Sequence, residues 1–331
     1  MLAIGTMLLS VTLSASADTR LGAARCAPPA LGGGCSSLSA FRGRLLWSDY
    51  QPEKRQYVLL TRVDGSETLD QVPVPGRLKP FEADLGKDAS GHGVAVYSRC
   101  KGDPSGPARG CAVFAYDFAA ARERRLALRL RGSRPLLASI WGARLAVVTR
   151  RSPRSPARVQ VCRLPARGGQ CRQLPGGPLG AKPRRDTGAT AIDLQGRRAV
   201  FAWFYLRRSD GSRRRSEILL VPDVTAGTRA RLIRVARASA GGAGSAAVYS
   251  PSIDRGGVYW ARGGQTCDFP SAPNAVGRYD VRRRRGHELR WSRRVQALAH
   301  SGSALYAILC GSAQPPADSM VARVEPDPFS P

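Results

Sequence analysis

The chain has 331 residues, with 52 Lys and Arg against 24 Asp and Glu, and a formal net charge of +28. This charge excludes an acidic disordered tail, and 43% hydrophobic residues indicate a packed core rather than a solvated polymer. Only five of the basic residues are lysines, so nearly all of the positive charge is arginine. The length fits either two ordinary domains or one large all-β domain.

Residues 1–17 are predicted to be a signal peptide, which implies a secreted, periplasmic or cell-envelope protein. They contain no charged side chain, are apolar between Leu2 and Leu13, and end in the small-residue cleavage motif A-S-A. No Lys or Arg precedes Asp18, although signal peptides normally begin with one. The apolar stretch is shorter than a helix that crosses a membrane, so we expect a soluble mature protein with no transmembrane anchor.

The cysteines predict disulfide bonds. An even number of cysteines in a secreted chain is typical of paired thiols. Three pairs of neighbours are each separated by about ten residues, and the remaining two cysteines are paired by elimination; this predicts Cys26/Cys35, Cys100/Cys111, Cys162/Cys171 and Cys267/Cys310. The chain has no C-x-x-C and no H-x(3–5)-H motif, so no metal site is predicted, and no cofactor either.

A unit of about fifty residues recurs along the chain. A glycine followed by an apolar run returns at intervals of 46 to 60 residues, at Gly43, Gly93, Gly142, Gly196, Gly256 and Gly302. In four of these units an aromatic residue follows the glycine by four positions: Trp47, Tyr97, Trp260 and Tyr306. Another short apolar segment precedes each glycine, and this pattern predicts strand, tight turn and strand.

A third strand and often a fourth follow in each unit, which predicts an all-β fold. Four antiparallel strands in each of about six units describe a six-bladed β-propeller, with seven blades as a possible count. The last unit ends after its third strand, so a strand before Cys26 is predicted to close the last blade. The predicted organisation is a signal peptide at 1–17, an N-terminal segment at 18–37 with the Cys26/Cys35 loop and the closing strand, and the propeller at 38–331. A pair of β-sandwiches is the alternative fold, but it gives no reason for this interval.

The segment Y-S-P-S-I-D-R-G-G-V-Y-W, from Tyr249 to Trp260, resembles the Ser-Pro-Asp-Gly-then-strand unit of the TolB-type, WD40-like propeller repeats. Fainter copies run from Ala191 to Gly196 and from Ala83 to Gly93. The resemblance implies a secreted or envelope-facing propeller, commonly an interaction module. It does not imply an activity, because function depends on sites rather than on folds.

The predicted function is a binding or scaffold module for an unknown protein or small ligand. No serine nucleophile elbow, phosphate-binding loop, H-E-x-x-H or EF-hand motif occurs. The alternative is a propeller hydrolase or lyase whose carboxylates meet in the central channel. Its weak catalytic candidates are Glu82, Asp193, Asp254 and His300. The simpler interpretation is that Asp193 and Asp254 stabilise the turns that follow them, and that His300 is a surface residue.

Five arginine clusters stand out, at Arg150-Arg151 with Arg154, Arg184-Arg185, Arg213–Arg215, Arg282–Arg285 and Arg293-Arg294. Most of them are expected in loops between strands, and they lack the interleaved aromatic residues that proteins need to recognise single-stranded nucleic acid, so no specific nucleic acid is expected. Non-specific contact with anionic envelope polymers follows from the charge. A dedicated binder of anionic cell-wall polymer is a further alternative, and a monomer is expected.

The three hypotheses predict different channels. A binding module should line its channel with small and apolar residues, without clustered titrating groups. An enzyme should bring Glu82, Asp193, Asp254 or His300 within hydrogen-bonding reach of one another. A polymer binder should merge the arginine clusters into one face of the ring.

Overall fold

The computed structural model is built from β-strands throughout its described part, which comprises residues 18–27, 37–101, 109–130, 134–152, 155, 157–164, 169–174, 188–206, 213–239, 247–254, 256–263, 274–311, 319–325 and 328–329. The predicted signal peptide at 1–17 lies outside this part. Within it, no helix is long and apolar enough to cross a membrane.

The strands form six separate antiparallel sheets, the blades. The N-terminal strand β1 (Thr19–Ala23) belongs to blade 6. Blade 1 contains β2 (Leu38–Phe41), β3 (Arg44–Gln51), β4 (Gln56–Val63) and β5 (Leu69–Gln71). Blade 2 contains β6 (Asp84–Lys87), β7 (Gly93–Lys101), β8 (Arg109–Asp117) and β9 (Arg122–Arg125). Between blades 2 and 3 lies β10 (Leu128–Arg129), which pairs parallel with the outer strand of blade 3.

Blades 3 to 6 repeat the same order. Blade 3 contains β11 (Arg134–Trp141), β12 (Arg144–Arg150), β13 (Arg158–Arg163) and β14 (Gly169–Gln173). Blade 4 contains β15 (Gly188–Gln195), β16 (Arg198–Leu206), β17 (Arg213–Val221) and β18 (Arg231–Ser239). Blade 5 contains β19 (Ala247–Asp254), β20 (Gly257–Gly263), β21 (Ala275–Asp280) and β22 (Arg285–Arg290). Blade 6 contains β23 (Val295–Ser301), β24 (Ala304–Leu309) and β25 (Met320–Arg323), with β1 as its outer strand.

The blades are arranged in a closed ring around a central channel. The first strand of each blade contacts the first strand of the next, and β23 of blade 6 contacts β2 of blade 1. These first strands are therefore the inner strands that surround the channel. The six-bladed β-propeller predicted from the repeat is confirmed, and the count is six rather than seven.

The N-terminal strand closes the ring. β1 pairs antiparallel with β25, from Thr19 opposite Arg323 to Ala23 opposite Met320. The indole nitrogen of Trp47 in blade 1 donates a hydrogen bond of 2.8 Å to the carbonyl of Ala23. The predicted closing strand is thus confirmed; it covers the edge of β25, which would otherwise offer unpaired backbone groups to other chains.

The apolar cores lie between neighbouring blades, because both faces of each sheet are covered. In β12, Leu145 and Val147 pack toward blade 2, whereas Ala146 and Val148 pack toward blade 4. Successive residues of a strand point to opposite faces, so a strand between two neighbours must be apolar at every position. The four aromatic residues that follow the repeat glycine are all buried within these cores: Trp47, Tyr97, Trp260 and Tyr306.

Polar side chains connect the inner strands around the channel. At five of the six junctions, a side-chain oxygen of one inner strand accepts a hydrogen bond from a backbone N–H of the next. The donor and acceptor pairs are Leu85 to Ser39 (2.9 Å), Ile140 to Asp84 (3.4 Å), Leu194 to Ser139 (2.8 Å), Ile253 to Asp193 (2.7 Å) and His300 to Ser252 (3.1 Å). The equivalent residue of blade 6 is Ala299, whose side chain offers no acceptor. We call the five acceptors, Ser39, Asp84, Ser139, Asp193 and Ser252, the polar ring.

Two of the predicted disulfides are confirmed. Cys100–Cys111 connects β7 and β8, and Cys162–Cys171 connects the directly opposed residues of β13 and β14. Cys26 and Cys310 are also disulfide-bonded. The partners predicted for them, Cys35 and Cys267, lie outside the described residues.

One prediction concerns the close approach of blades 2 and 3 at Gly86. A Cβ atom at this position would lie 1.9 Å from the carbonyl oxygen of Ile140, whereas a Cβ atom at Gly93 would meet nothing within 4 Å. A backbone oxygen cannot move aside as a flexible side chain can, so we expect Gly86→Ala to lower the free energy of unfolding by about 3 kcal/mol or more. Gly93→Ala, in the same blade, is the matched control and should unfold like the wild type in urea. Equal stability of the two variants would contradict this packing.

Candidate functional site

A cavity of about 910 Å³ opens at one end of the channel. It is lined by the turns between the first and second strands of several blades, which all reach this end because the strands alternate in direction. We call it the mouth. Its volume is within the range of sites that enclose a small organic ligand, and its wall is carried by inner strands that the neighbouring blades hold in place.

Asp254 and His300 form a buried pair in the wall of the mouth. Oδ2 of Asp254 lies 3.2 Å from Nδ1 of His300 and also accepts a hydrogen bond of 2.6 Å from the backbone N–H of Gly302. Oδ1 accepts a hydrogen bond of 2.9 Å from the side-chain amide of Gln195. Burial alone would raise the pKa of Asp254, but the hydrogen bonds from His300 and Gln195 outweigh it, and the pKa is lowered.

The imidazole of His300 is held in one orientation. Its ring lies parallel to the ring of Tyr259, with 3.9 Å between the centroids, and only 6% of the residue is exposed. An ionised Asp254 accepts the proton of Nδ1, and a neutral imidazole with its proton there has its basic lone pair on Nε2. The pair therefore has the arrangement of an oriented general base.

A smaller cavity of about 60 Å³ lies deeper in the channel and is lined by Glu82, Asp84 and Asp193 among small and serine side chains. Burial raises the pKa of Asp84 to about 6, although hydrogen bonds from Ser139 and Ser39 oppose the shift. Burial also raises the pKa of Glu82 to about 7, against the opposing charge of Arg77.

Asp193 belongs to both cavities, since it lines the mouth as well as the deeper part of the channel. Burial raises its pKa well above the ordinary value, and the negative charge of Asp84 raises it further. Two carboxyl groups of the polar ring thus disfavour each other's ionisation, and the deeper channel favours their protonated forms more than water does.

The structure brings some of the predicted catalytic candidates together. Asp254 and His300 are in contact, Asp193 lines the same mouth, and Glu82 lines only the deeper cavity. The expectation that His300 is a surface residue is wrong, because its side chain is buried against Tyr259. The clustered titrating groups differ from the channel of small and apolar residues expected of a binding module, and the contact between Asp254 and His300 matches the arrangement expected of an enzyme.

Asp193 and Asp254 are expected to stabilise the turns that follow them, but the structure gives their carboxyl groups other partners. Asp193 accepts the backbone N–H of Ile253, and Asp254 accepts that of Gly302, so each bonds to the next blade. Sequence reasoning also missed Gln195, which orients Asp254. Its only signal was its place at the end of an inner strand, the position that Phe41 and Trp141 occupy in blades 1 and 3.

The residues that could hold a divalent cation lie elsewhere, on the turns of blade 2. Asp88, His92 and Asp117 place one potential ligand atom each within 4.8 Å of one another. Oδ1 of Asp88 accepts backbone hydrogen bonds from Ser90 and His92. The group is partly exposed to solvent, and we assign no function to it.

The arginine clusters are divided between the two ends of the channel. Arg282–Arg285 lie at the turn between β21 and β22, on the same end as the mouth, whereas Arg150-Arg151 and Arg293-Arg294 lie at the opposite end. Arg213–Arg215 belong to β17 and not to a loop, contrary to expectation. Arg154 and Arg184-Arg185 are outside the described residues. The described clusters therefore do not merge into one face.

The fold and the mouth define a six-bladed β-propeller with an open channel end. No protein-family model matches the chain, and no curated protein matches it. Among solved structures, TolB from Acinetobacter baumannii is similar with a TM-score of 0.47 and 12% identity over 86% of this chain and 64% of that one. A puromycin-hydrolyzing peptidase from Mycobacterium tuberculosis is similar with a TM-score of 0.49 and 13% identity over 92% and 54%.

The Aleuria aurantia lectin is similar with a TM-score of 0.48 and 11% identity over 89% of this chain and 90% of the lectin. The chain spans less than two thirds of the length of the TolB and of the peptidase.

The raised pKa of Asp84 predicts a pH-dependent stability. Its folded value of about 6 lies above the ordinary 3.8, so the folded chain binds this proton more tightly than the unfolded chain does. This contribution is fully present below about pH 4 and is lost as the pH rises through about 6, at a cost of up to about 3 kcal/mol. Asp84→Asn keeps an acceptor for the N–H of Ile140, and we expect its stability to fall less between pH 4 and 7 than that of the wild type.

The measurement is the free energy of unfolding in urea at pH 4, 5.5 and 7. Asp70→Asn makes the same change of charge at an exposed position of β5 and should follow the wild type. Parallel curves for the wild type and Asp84→Asn would show that the carboxyl group of Asp84 does not carry this dependence.

Proposed function

We propose that this chain is a secreted or cell-envelope propeller that acts as a binding module and takes its ligand in the mouth of the channel. The observation that carries the proposal is the 910 Å³ cavity, whose wall combines aromatic, charged and hydrogen-bonding groups from turns of different blades. Turns carried on a rigid scaffold are the usual place for a binding site, because their side chains vary while the strands hold them in position.

The proposed location rests on the cysteines and on the N-terminal sequence. Disulfides persist in oxidising compartments. One disulfide connects two strands within blade 2, and another connects two strands within blade 3. A signal peptide at residues 1–17, an N-terminal segment at 18–37 and a propeller at 38–331 remain the proposed division of the chain. β1 lies within the second of these segments, so the propeller of this division needs that segment to complete blade 6.

Blocking the mouth tests the binding function. Ser301 lies at the end of its inner strand and lines the mouth, in the place that Phe41 and Trp141 hold in blades 1 and 3. We expect Ser301→Trp to fill the mouth and to abolish ligand-induced increases in melting temperature. The probes are a panel of monosaccharides, amino acids, dipeptides and small carboxylic acids, followed by thermal denaturation.

The matched control is Ser90→Trp, which places the same side chain on the exposed turn of blade 2. It should respond to each probe as the wild type does. A probe that stabilises the wild type and Ser301→Trp equally binds outside the mouth and counts against the proposal, as does a panel without any stabilising probe.

A hydrolase or lyase is the second candidate, and the Asp254–His300 pair is the observation that favours it. If the mouth is catalytic, we expect hydrolysis of p-nitrophenyl acetate or of p-nitrophenyl glycosides that His300→Ala reduces at least 100-fold, as loss of a general base does. His287→Ala removes an exposed histidine of blade 5 and should retain the activity. Equal rates in both variants, or no hydrolysis by the wild type, would dismiss the enzyme hypothesis for these substrates.

A further inference from the structure

We propose that the ligand of the mouth is a small organic anion, an apolar group that carries a carboxylate or a phosphate, bound by arginines from opposite sides of the ring. This inference rests on the proposed binding function and adds the chemical class of the ligand. Its basis is the distribution of charge in the mouth, where each acidic group already has hydrogen-bond donors within the protein, whereas two arginines have no carboxylate partner in the described part of the chain.

The acidic groups near the rim are occupied by neighbouring donors. Oδ2 of Asp64 accepts hydrogen bonds of 2.7 Å from the hydroxyl of Tyr306 and of 3.0 Å from Nη1 of Arg323. Oδ1 of Asp223 accepts the backbone and side-chain donors of Thr225, at 2.7 and 2.6 Å.

Arg197 adds an ion pair to Asp223, with 3.6 Å between Nη1 and Oδ2. These two carboxylates therefore offer little uncompensated negative charge to a ligand.

The two acidic groups deeper in the wall are also satisfied. Asp254 is bonded by His300, Gly302 and Gln195, as described above. Asp193 accepts the N–H of Ile253, and its burial favours the neutral acid over the carboxylate. A cationic ligand would have to compete with these donors for every acceptor it needs.

Arg42 and Arg198 differ from the other arginines of the mouth. Both line it, and neither has a carboxylate oxygen within 4.0 Å in the described part of the chain, whereas Arg197 and Arg323 do. Arg42 belongs to the turn of blade 1 and Arg198 to the start of β16 in blade 4, and these blades face each other across a ring of six. The two arginines therefore line the mouth from opposite blades.

Arg42 occupies the first position of the tight turn in blade 1. Its φ angle is +50°, in the left-handed region, and the following Gly43 has φ of +78°. The first position of such a turn is normally Asn, Asp or Gly, because other side chains are strained there. Arg55, Ala121 and Arg284 adopt the same left-handed φ in other hairpin turns, so this conformation belongs to the turn type, and the turn places Arg42 at the rim.

An aromatic wall explains why the anion should carry an apolar group. Phe41 and Trp141 both line the mouth, are only partly buried, and pack edge to face with 5.5 Å between their centroids. Nζ of Lys87 lies 5.0 Å from the ring of Trp141, and the guanidinium of Arg42 lies 5.2 Å from the ring of Phe41. Apolar surface beside cationic groups suits a ligand with one apolar and one anionic end.

The experiment compares charged and neutral probes of the same size by isothermal titration calorimetry at low and at physiological salt. The probes are benzoate, phenyl phosphate and the neutral benzyl alcohol, with inorganic phosphate alone to test whether the apolar ring is needed. We expect one of the two aromatic anions to bind at least tenfold more tightly than benzyl alcohol. Benzoate and phenyl phosphate distinguish a carboxylate from a phosphate ligand.

The variant pair Arg42→Ala/Arg198→Ala should weaken that binding at least tenfold, because each charge-assisted hydrogen bond to an anion is lost. Arg124→Ala/Arg231→Ala removes the same two charges from exposed outer strands and should change the affinity less than twofold. Melting temperatures of both pairs serve as a check that they fold.

Each other outcome has a definite meaning. If both variant pairs weaken anion binding equally, the effect comes from the net charge of the protein, and the inference is overturned. Tighter binding of benzyl alcohol, blocked by Ser301→Trp, would also overturn it, while the binding function would stand. If Ser301→Trp blocks none of the probes and none of the earlier panel, the binding function fails as well.

Discussion

The hydrogen bonds of the polar ring are the constraint on which the channel depends. A propeller packs apolar sheets face to face, and such packing is tolerant of small rotations because dispersion forces have little direction. A bond from a side-chain oxygen to the N–H of the next inner strand is directional, and it sets the height of each blade relative to its neighbour. Five junctions use this bond, and at the sixth, where Ala299 stands, β1 joins the last blade and Trp47 of blade 1 bonds to it.

The same bonds bring acidic groups into the channel. Serine would suffice for the connection, as Ser39, Ser139 and Ser252 show. Asp84 and Asp193 make it at the cost of a raised pKa, because their carboxyl groups leave water and face each other's charge. Carboxyl groups with a strongly raised pKa, at positions where serine would make the same hydrogen bond, are expected at functional sites. Asp193 also lines the mouth, and its raised pKa favours the neutral acid, which adds no negative charge against an anionic ligand.

The repeat and the candidate site differ in how far the sequence could predict them. Six glycines and four aromatic residues recur at a regular spacing, and blades 1 to 5 each form from one continuous stretch. The last unit lacks its fourth strand, so the blade count and the need for a closing strand follow from the sequence. Asp254 and His300 are 46 residues apart and meet only because blades 5 and 6 are neighbours. An aspartate before a glycine usually stabilises its own turn. Here the carboxyl groups of Asp193 and Asp254 both accept a backbone N–H of the next blade, which no local rule can predict.

The sequence by itself determined the all-β class, the six units and two of the disulfide pairs, because hairpins and local bridges depend on residues close together in the chain. It also determined the large positive charge, but not where that charge acts. The tertiary structure alone decided that His300 is buried on Tyr259, that Asp84 and Asp193 share one channel, and that Arg42 and Arg198 line one mouth from opposite blades without carboxylate partners in the described chain. These relations join residues of different blades, and only the closed ring sets the distances between them.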